Sequence, residues 1–355
     1  KTRLFLFRRR IKTVHYLGTF VVSVGNITAG GTGKTPVVEF LSRTLAERGR
    51  KCAILTRGYK SADLDEPQIW LDKTGRRIKK LPKIASDGVT RYLSPLYAGD
   101  EPFMLARNLD GVAVLVDKDR VKSGIFAIEQ LGSNTLILDD GMQYLKLKHE
   151  IDIVLVDCGF PFGTGSLLPR GTMREPRTSL KRASYIILTK SGGKPQDELI
   201  ATIRKYNKVA DIIVCNHAPS YLENIFTGER QELSFLNGKY VACMSGIARP
   251  ESFEGLVEGL GAHVEIRRRY PDHYWFDQEE LDAFVERCAD RAMDLIVTTE
   301  KDAVRFLKPG EMDVPIYFLR IQIDIEQGQE YWDRMIDRIC DLGKPQPQPQ
   351  WGDVL

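Results

Sequence analysis

The chain has 355 residues, of which 43% are hydrophobic, and a formal net charge of only +3. This length allows two ordinary domains, and this hydrophobic content is usual for a folded, soluble protein. Proteins whose main partner is nucleic acid usually have a strong basic excess, so the near-neutral charge argues against that class. No apolar run approaches the roughly 18 to 20 residues that a membrane-spanning helix needs.

The first 19 residues combine an apolar stretch, Leu4–Phe7, with the basic residues Arg8, Arg9, Arg10 and Lys12. This mixture suits an anionic membrane surface, and a solvated, frayed terminus is the alternative. We predict that residues 1–19 form a membrane-associating segment. The six cysteines lie far apart without a C-x-x-C pair, and the five histidines have no paired spacing. Free core thiols in a reducing cytosol are therefore expected, and a zinc site is not.

Continuous apolar, β-branched runs alternate with helical patterns along the first 215 residues. The predicted strands are Phe20–Val24, Cys52–Thr56, Val112–Val116, Thr135–Leu138, Ile151–Val156, Tyr185–Thr189 and Asp211–Cys215. Helices are expected from about Thr35 to Arg48 and from about Arg120 to Leu131, each followed by a glycine stop signal. Continuous hydrophobicity suits strands that are covered on both faces. The pattern predicts an α/β fold with a mostly parallel sheet flanked by helices.

Residues 216–237 interrupt this series with Pro219, Gly228 and an alternating pattern, which predicts a hairpin that serves as a hinge. A second α/β series follows. Its predicted elements are the strands Tyr240–Met244, His263–Ile266, Asp294–Thr298 and Ile316–Leu319 and the helices Glu251–Gly259, Asp277–Ala289 and Glu330–Leu342. We therefore predict a first domain at 20–215, a hinge at 216–237, a smaller α/β domain at 238–342 and a disordered, Pro- and Gln-rich tail at 343–355.

A glycine-rich loop between the first strand and the first helix is the strongest chemical signal. It consists of Thr28, Ala29, Gly30, Gly31, Thr32, Gly33, Lys34 and Thr35. Glycines let several backbone N–H groups point at phosphate oxygens, while Lys34 neutralises the β- and γ-phosphates and the Thr35 hydroxyl suits Mg²⁺. A chance glycine-rich turn is the alternative, but strand, loop and helix occur here in the required order, which makes the predicted fold like that of phosphate-loop NTPases. Thr28 stands where the usual pattern has glycine.

Two pairs of acidic residues are candidates for metal binding or catalysis. Asp139 and Asp140 follow an apolar strand, where a carboxylate partners a phosphate loop by holding the metal; ordinary turn residues are the alternative. Asp100 and Glu101 precede an apolar helical run. Asp100 is expected to cap this helix, and a role as base or metal ligand is the alternative.

Other candidates carry weaker signals. His273 lies in a loop among aromatic residues, where a structural role is the more usual one. Arg57, Arg120 and Arg174 follow strands or lie in Gly/Pro-rich loops. The strand ends of α/β proteins are where binding sites form, although each arginine could be a surface charge.

Together these stretches resemble the tetraacyldisaccharide 4'-kinase family, the lipid A pathway kinases of Gram-negative bacteria. The segments that carry the resemblance are Ser23–Pro36, Thr56–Tyr59, Gly99–Pro102, Asp119–Arg120, Leu138–Gln143, Leu167–Pro176, Gly246–Pro250 and Thr299–Ala303. They follow the family's order from about Val21 to Val304, and Thr28 in the first loop position looks like this family too.

The resemblance implies transfer of the γ-phosphate of ATP, with Mg²⁺, to the 4'-hydroxyl of a tetraacylated glucosamine disaccharide 1-phosphate. It implies a two-stranded hinge between the domains and a location on the cytoplasmic face of the bacterial inner membrane, without an obligate protein partner. The roles that it implies are catalysis by Lys34, Asp100 and His273, metal binding or site order by Thr35, Glu101, Asp139, Asp140 and Glu175, and substrate contact by Arg57, Arg120, Gln143 and Arg174.

Two other functions are compatible with the phosphate loop. One is a nucleotide switch or membrane-partitioning NTPase, which works by conformational change. A GTPase should carry an Asn-Lys-x-Asp motif that reads the base, and the nearest string, Thr189–Gly192, lacks the acid. The other is a kinase that acts on another small hydroxyl substrate.

Overall fold

The structure is a computed structural model that describes residues 13–59, 61–72, 74–78, 81–306 and 313–342, with only the backbone of residue 342. The basic N-terminal cluster and the Pro- and Gln-rich tail lie outside the described residues. The chain divides into two compact units. Unit 1 comprises the residues up to Asn216 and those from Asp324 onward, and unit 2 comprises His217–Ile323.

The strands and helices are numbered in chain order over the described residues. The strands are β1 (Phe20–Asn26), β2 (Cys52–Thr56), β3 (Lys83–Asp87), β4 (Ala113–Val116), β5 (Thr135–Asp139), β6 (Ile151–Asp157), β7 (Tyr185–Thr189), β8 (Asp211–Asn224), β9 (Arg230–Gln231), β10 (Tyr240–Ser245), β11 (His263–Arg269), β12 (Leu295–Thr299) and β13 (Ile316–Gln327). The α-helices are α1 (Lys34–Glu47), α2 (Pro95–Ala98), α3 (Asp100–Asn108), α4 (Arg120–Glu129), α5 (Asp197–Arg204), α6 (Pro250–Gly259), α7 (Gln278–Asp290), α8 (Glu300–Ala303) and α9 (Gln329–Leu342).

The sheet of unit 1 runs in the order β8-β7-β6-β1-β5-β2-β4-β3. Its neighbouring strands are parallel except for β3, which pairs antiparallel with β4 at the edge. Every residue of β1 is buried, as continuous hydrophobicity predicts for a central strand. Because β1 lies between β5 and β6, the loop after β1 meets the carboxyl ends of both neighbours, where α/β folds place ligands.

Hydrophobic clusters cover the strands of unit 1. One cluster groups Val21, Leu136 and Leu138 with Phe126 of α4, and another groups Val154 and Ile186 with their neighbours. Helix α1 buries Val37, Val38, Leu41 and Leu45, the face predicted from their helical spacing. The final helix, α9, also belongs to unit 1: the Trp332 ring stacks on Phe40 of α1, with centroids 4.7 Å apart. The sequence had placed this helix in the C-terminal domain.

Unit 2 has a smaller parallel sheet in the order β11-β10-β12-β13. The short strand β9 pairs antiparallel with the end of β8 through Leu222 and Glu223, which forms a hairpin within the predicted hinge segment. Strands β8 and β13 each continue from one unit into the other. The hinge at 216–237 itself stays a prediction. Among the described helices, none has both the length and the apolar character that crossing a bilayer requires.

Candidate active site

The loop that follows β1 has the backbone of an anion-binding loop. Gly33 adopts a left-handed φ of 77°, and α1 begins at the next residue, so Lys34 and Thr35 occupy its first turn. The side chain of Asn26, the last residue of β1, donates to Thr32 Oγ1 at 2.9 Å and so holds the loop to the strand end. The free N–H groups of a helix N-terminus attract negative charge. The eight predicted residues Thr28–Thr35 therefore form a loop suited to phosphate.

The structure also accounts for Thr28, which stands where glycine is usual. Thr28 is only 4% exposed and forms a β-bridge with Met173. The next residue, Ala29, donates its N–H to the Thr172 carbonyl at 2.6 Å. A threonine suits an extended, bridged position better than glycine does, because its branched side chain restricts the backbone.

Asp139 ends β5 directly beside β1, where it pairs in register with Val24. The carboxylate is buried, and its Oδ2 accepts a hydrogen bond from Thr56 Oγ1 at 3.0 Å, while Oδ1 has no hydrogen-bond partner in the described protein. Burial, together with the charge of Glu101, raises the pKa of Asp139 to about 6. A buried carboxylate oxygen without a protein donor is suited to a cation.

Asp140, the next residue, has different partners. Its φ of 53° lies in the left-handed region, which non-glycine residues rarely adopt. Arg174 Nη1 donates to both carboxylate oxygens, and Lys34 Nζ lies 3.7 Å from Oδ1. Burial opposes ionisation of Asp140, but the charges of Lys34 and Arg174 outweigh it and hold its pKa below the usual value. Asp140 is thus an ionised link between Lys34 and Arg174.

Helix α3 begins with the Asp100–Glu101 pair. Gly99 occupies the N-cap position with a φ of 90°, and Asp100 is the first helical residue, so the predicted cap role of Asp100 is wrong by one position. Asp100 is 7% exposed. An acidic residue in a first turn is stabilised by the helix dipole. Glu101 lies close enough to Asp139 for its charge to raise the pKa of Asp139, so both acid pairs belong to one site.

Arg120 begins α4 and is also buried, at 5% exposure. Its guanidinium lies 5.0 Å from the centre of the Tyr144 ring, and its Nε has no hydrogen-bond partner in the described protein. Burial lowers the pKa of Arg120, the charges of Asp139 and Asp140 oppose this, and the charge of Arg57 adds to it. Arg120 therefore brings positive charge close to the two aspartates, and Arg57 lies close enough to Arg120 for its charge to act there.

Gln143 and Glu175 lie beside the loop and bind each other. Gln143 Nε2 donates to the Asn26 carbonyl and to Glu175 Oε1, each at 3.0 Å. Arg182 Nη2 donates to both oxygens of Glu175 at 2.8 Å. In this arrangement protein donors hold the Glu175 carboxylate. Gln143 and Glu175 together fix the end of β1, at Asn26, next to the phosphate loop.

His273 lies in unit 2, whereas the other predicted site residues belong to unit 1. Its φ of 66° is again left-handed. Lys301 Nζ lies 3.3 Å from His273 Nε2 and donates to Asp272 Oδ1 at 3.0 Å. A side chain on a strained backbone, held by charged neighbours, is often functional.

The described residues fit a magnesium ion better than a metal held by protein alone. No group of three or more His, Cys, Asp or Glu side chains in the described part of the chain is arranged to hold a metal. Mg²⁺ usually takes one or two carboxylates and completes its shell with phosphate oxygens and water. Asp139, with its unpartnered Oδ1, and the Thr35 hydroxyl beside the phosphate loop meet that need.

Sequence reasoning assigned no role to Thr189 and Lys190, which hold the phosphate loop, or to Asp157, which binds Lys190. Thr189 and Lys190 donate to the carbonyls of Thr32 and Gly31. The sequence signals were their positions at strand ends and, for Thr189 and Lys190, the string compared with a base-reading motif. The contacts themselves depend on how the strands meet in space.

Known proteins resemble this chain along most of its length. A family model described as Tetraacyldisaccharide-1-P 4'-kinase (LpxK) matches residues 1–340. The tetraacyldisaccharide 4'-kinase of Syntrophus aciditrophicus is 37% identical over 333 residues, which cover 90% of this chain and 84% of that protein. The enzyme of that name from Anaeromyxobacter dehalogenans (strain 2CP-C) is 40% identical over 303 residues, which cover 84% and 76%. A crystal structure of LpxK from Aquifex aeolicus in complex with ATP has a TM-score of 0.73 and 27% identity, and covers 95% of this chain and 94% of that one. This last match confirms the predicted α/β fold.

Proposed function

Because this chain belongs to the tetraacyldisaccharide-1-P 4'-kinase family, we propose that it transfers the γ-phosphate of ATP to the 4'-hydroxyl of tetraacyldisaccharide 1-phosphate in lipid A biosynthesis. The observation that carries this proposal lies in unit 1. There the phosphate loop, the buried acid of β5 and the acidic start of α3 belong to one site, as the interaction of Lys34 with Asp140 and of Glu101 with Asp139 indicates. Such a set is what phosphoryl transfer from a nucleotide needs.

The phosphate loop and the first turn of α1 would hold the triphosphate of ATP. The loop N–H groups and the Lys34 ammonium bind phosphate oxygens, and Asp139 with the Thr35 hydroxyl would hold Mg²⁺. When bound, Mg²⁺ supplies positive charge that offsets the charge on the transferred phosphoryl group. Glu101 adds a further carboxylate near Asp139. Asp140 and Glu175, which are already paired with arginines, order the site.

A sugar hydroxyl is a weak nucleophile, so a positioned base assists its attack. We assign this role to Asp100, which is buried at the start of α3. We also assign His273, in unit 2, a part in the catalytic step, as the resemblance to the family implies. Arg57 and Arg120 would neutralise negative charge on the substrates, and Gln143 and Arg174 would shape the acceptor side of the loop.

A water-insoluble acceptor lipid places the reaction at a membrane surface, and we propose the cytoplasmic face of the bacterial inner membrane. The basic and apolar residues of the first 19 positions fit this role, although they lie outside the described structure. Co-sedimentation with vesicles that contain anionic lipid tests the proposal. Replacing Arg8, Arg9 and Arg10 together by serine should release the protein from the vesicles, and unchanged binding would count against it.

The decisive assay incubates the purified protein with γ-labelled ATP, Mg²⁺ and the lipid disaccharide 1-phosphate. We expect label in the lipid, at the 4' position, and none of this transfer with the Lys34→Met variant. Label that appears only as inorganic phosphate would favour the nucleotide switch. Transfer to a different small alcohol, but not to the lipid, would favour a kinase with another acceptor.

A further inference from the structure

The carboxyl end of β7 holds two peptide groups of the phosphate loop. Thr189 Oγ1, fully buried, donates to the Thr32 carbonyl at 2.9 Å. Lys190 Nζ donates to the Gly31 carbonyl at 2.5 Å. These two residues begin the string that resembles a base-reading motif in sequence, yet the structure directs their side chains to the loop backbone.

Asp157, at the end of β6, anchors the Lys190 ammonium. Its Oδ2 lies 2.9 Å from Lys190 Nζ, while its Oδ1 accepts the N–H groups of Gly159 and Phe160 at 2.9 and 3.2 Å. Asp157 is only 5% exposed. Because both carboxylate oxygens are engaged, the ammonium is held between a fixed carboxylate and the Gly31 carbonyl.

The backbone of Lys190 has an unfavourable conformation that the surrounding contacts must maintain. Its φ of 57° lies in the left-handed region, which is unfavourable for a lysine. On the other flank of the loop, the Arg174 N–H donates to the Ile27 carbonyl at 2.8 Å, and the Ala29 N–H donates to the Thr172 carbonyl. Contacts within the protein therefore hold the loop from both flanks.

These contacts decide where the loop N–H groups point. In a trans peptide the carbonyl and the following N–H point in opposite directions. Fixing the Thr32 carbonyl on Thr189 therefore turns the Gly33 N–H away from β7. Lys190 fixes the preceding peptide through the Gly31 carbonyl, and the Thr32 N–H of that peptide donates to the Gly30 carbonyl at 3.0 Å. Glycine peptides rotate easily, so without such contacts the loop would sample other orientations.

We propose that Lys190 is a positioning residue of the nucleotide site. Anchored by Asp157, it holds the phosphate loop in its phosphate-binding conformation and so raises the affinity for a triphosphate without touching the phosphates. This inference rests on the proposed function only in taking ATP as the ligand. A preformed loop loses less conformational entropy on binding, which is why such a contact strengthens affinity.

The test compares Lys190→Met, which keeps the apolar stem but removes the donor, with the exposed Lys194→Met as the matched control. Binding is measured with a fluorescent ATP analogue in competition with ATP, GTP and inorganic tripolyphosphate. Hydrogen bonds to charged groups contribute enough that we expect a loss of about tenfold or more, by the same factor for all three competitors. In turnover, the KM for ATP should rise while the KM for the lipid stays unchanged. Lys194→Met should match the wild type.

Two outcomes would overturn the proposal. Affinity of Lys190→Met within about twofold of the wild type would show that the contact is unimportant, and a loss for ATP that spares tripolyphosphate would make Lys190 a nucleoside contact. Lys190→Gly removes the same ammonium while relieving the left-handed backbone, so it decides the matter if the methionine variant is unstable. Failure of the wild-type protein to bind ATP would defeat the proposed function instead.

Discussion

Arg174 Nη1 donates to both carboxylate oxygens of Asp140, at 2.7 and 2.6 Å. The same carboxylate lies 3.7 Å from Lys34 Nζ, the ammonium of the phosphate loop. Arg174 therefore offsets the charge of Asp140, which also acts on Lys34 and Arg120. This division of charge leaves the Lys34 ammonium available for an incoming phosphate.

Replacing Arg174 by methionine should weaken ATP binding by about tenfold, which corresponds to about 1.4 kcal/mol. Asp140 would then hold Lys34 more tightly, and one positive charge near the phosphates would be lost. Titration of a fluorescent ATP analogue measures the change. Arg177→Met is the matched control: it also replaces an arginine by methionine, but this arginine stacks on the Phe162 ring, with its guanidinium carbon 4.4 Å from the ring centre. A rise in the KM for the lipid, with ATP affinity unchanged, would limit the role of Arg174 to the acceptor side of the loop.

Asp139→Asn should raise the melting temperature at pH 7 and abolish most turnover. Burial raises the pKa of Asp139 from 3.8 to about 6 in the folded protein. Its stabilising contribution is complete below about pH 3.8 and is lost as the pH rises through about 6. At pH 7 the ionised carboxylate then costs about 3 kcal/mol, at about 1.4 kcal/mol for each unit of pKa.

Thermal melts between pH 4 and 8, with a chelator and without nucleotide, test this sign. The gain of Asp139→Asn over the wild type should shrink as the pH falls toward 4. Asp110→Asn removes an exposed carboxylate and should show no such trend. Equal melting temperatures of Asp139→Asn and wild type at pH 7 would mean that the charge is buried without cost.

Asp100→Asn should lower kcat by roughly 10²- to 10⁴-fold, the usual contribution of a general base, and leave ATP affinity within about twofold. His273→Gln should lower kcat in the same direction. If Asp100 and His273 contribute to the same catalytic step, the double variant should be little slower than Asp100→Asn alone. Multiplicative losses in the double variant would separate their roles, and near-wild-type rates in both single variants would contradict the assignment.

The strands of the parallel sheet could be predicted because they are buried on both faces and read as continuous apolar runs. β2 and β7 have the predicted bounds, and β1 and β6 extend the predictions by one or two residues. β3 was missed: it is a short antiparallel edge strand, and its sequence has no strong apolar run. Edge strands need less hydrophobicity, so their signal is weaker.

The candidate site likewise has a part that could be predicted from the sequence and a part that could not. The phosphate loop and the acid of β5 were predictable, because each is a local sequence pattern at a strand end. The partners of these residues, such as Arg174 for Asp140, depend on how distant loops meet. The sequence also did not show which unit α9 belongs to. An amphipathic pattern indicates which face of a helix is buried, but not which part of the protein that face packs against.

Trp332→Ala tests the attachment of α9 to unit 1. Trp332 is 3% exposed and stacks on Phe40 of α1, so its removal should cost about 3–5 kcal/mol of unfolding free energy. Urea unfolding followed by circular dichroism measures the loss. Arg338→Ala changes an exposed position of the same helix and should stay within about 0.5 kcal/mol of the wild type. Equal losses in the two variants would argue against this packing.

The buried thiols should resist alkylation in the native protein. Burial raises the pKa of Cys52, Cys215 and Cys243 to about 12, and the thiolate is the reactive form. Mass spectrometry after iodoacetamide treatment should find these three cysteines unmodified, with the partly exposed Cys340 labelled first. Rapid labelling of Cys243 without denaturant would contradict its buried position.

Unit 2 lies within the sequence of unit 1, since the chain returns to unit 1 only at Asp324. During translation, the ribosome therefore releases all of unit 2 before it has supplied the helix that packs on α1. A nascent chain that stops after residue 323 would carry a complete unit 2 and the entire phosphate loop, yet leave Phe40 of α1 uncovered. We expect nucleotide binding to appear late in synthesis, with the last helix, which makes a shortened chain a target for proteases rather than a partial kinase.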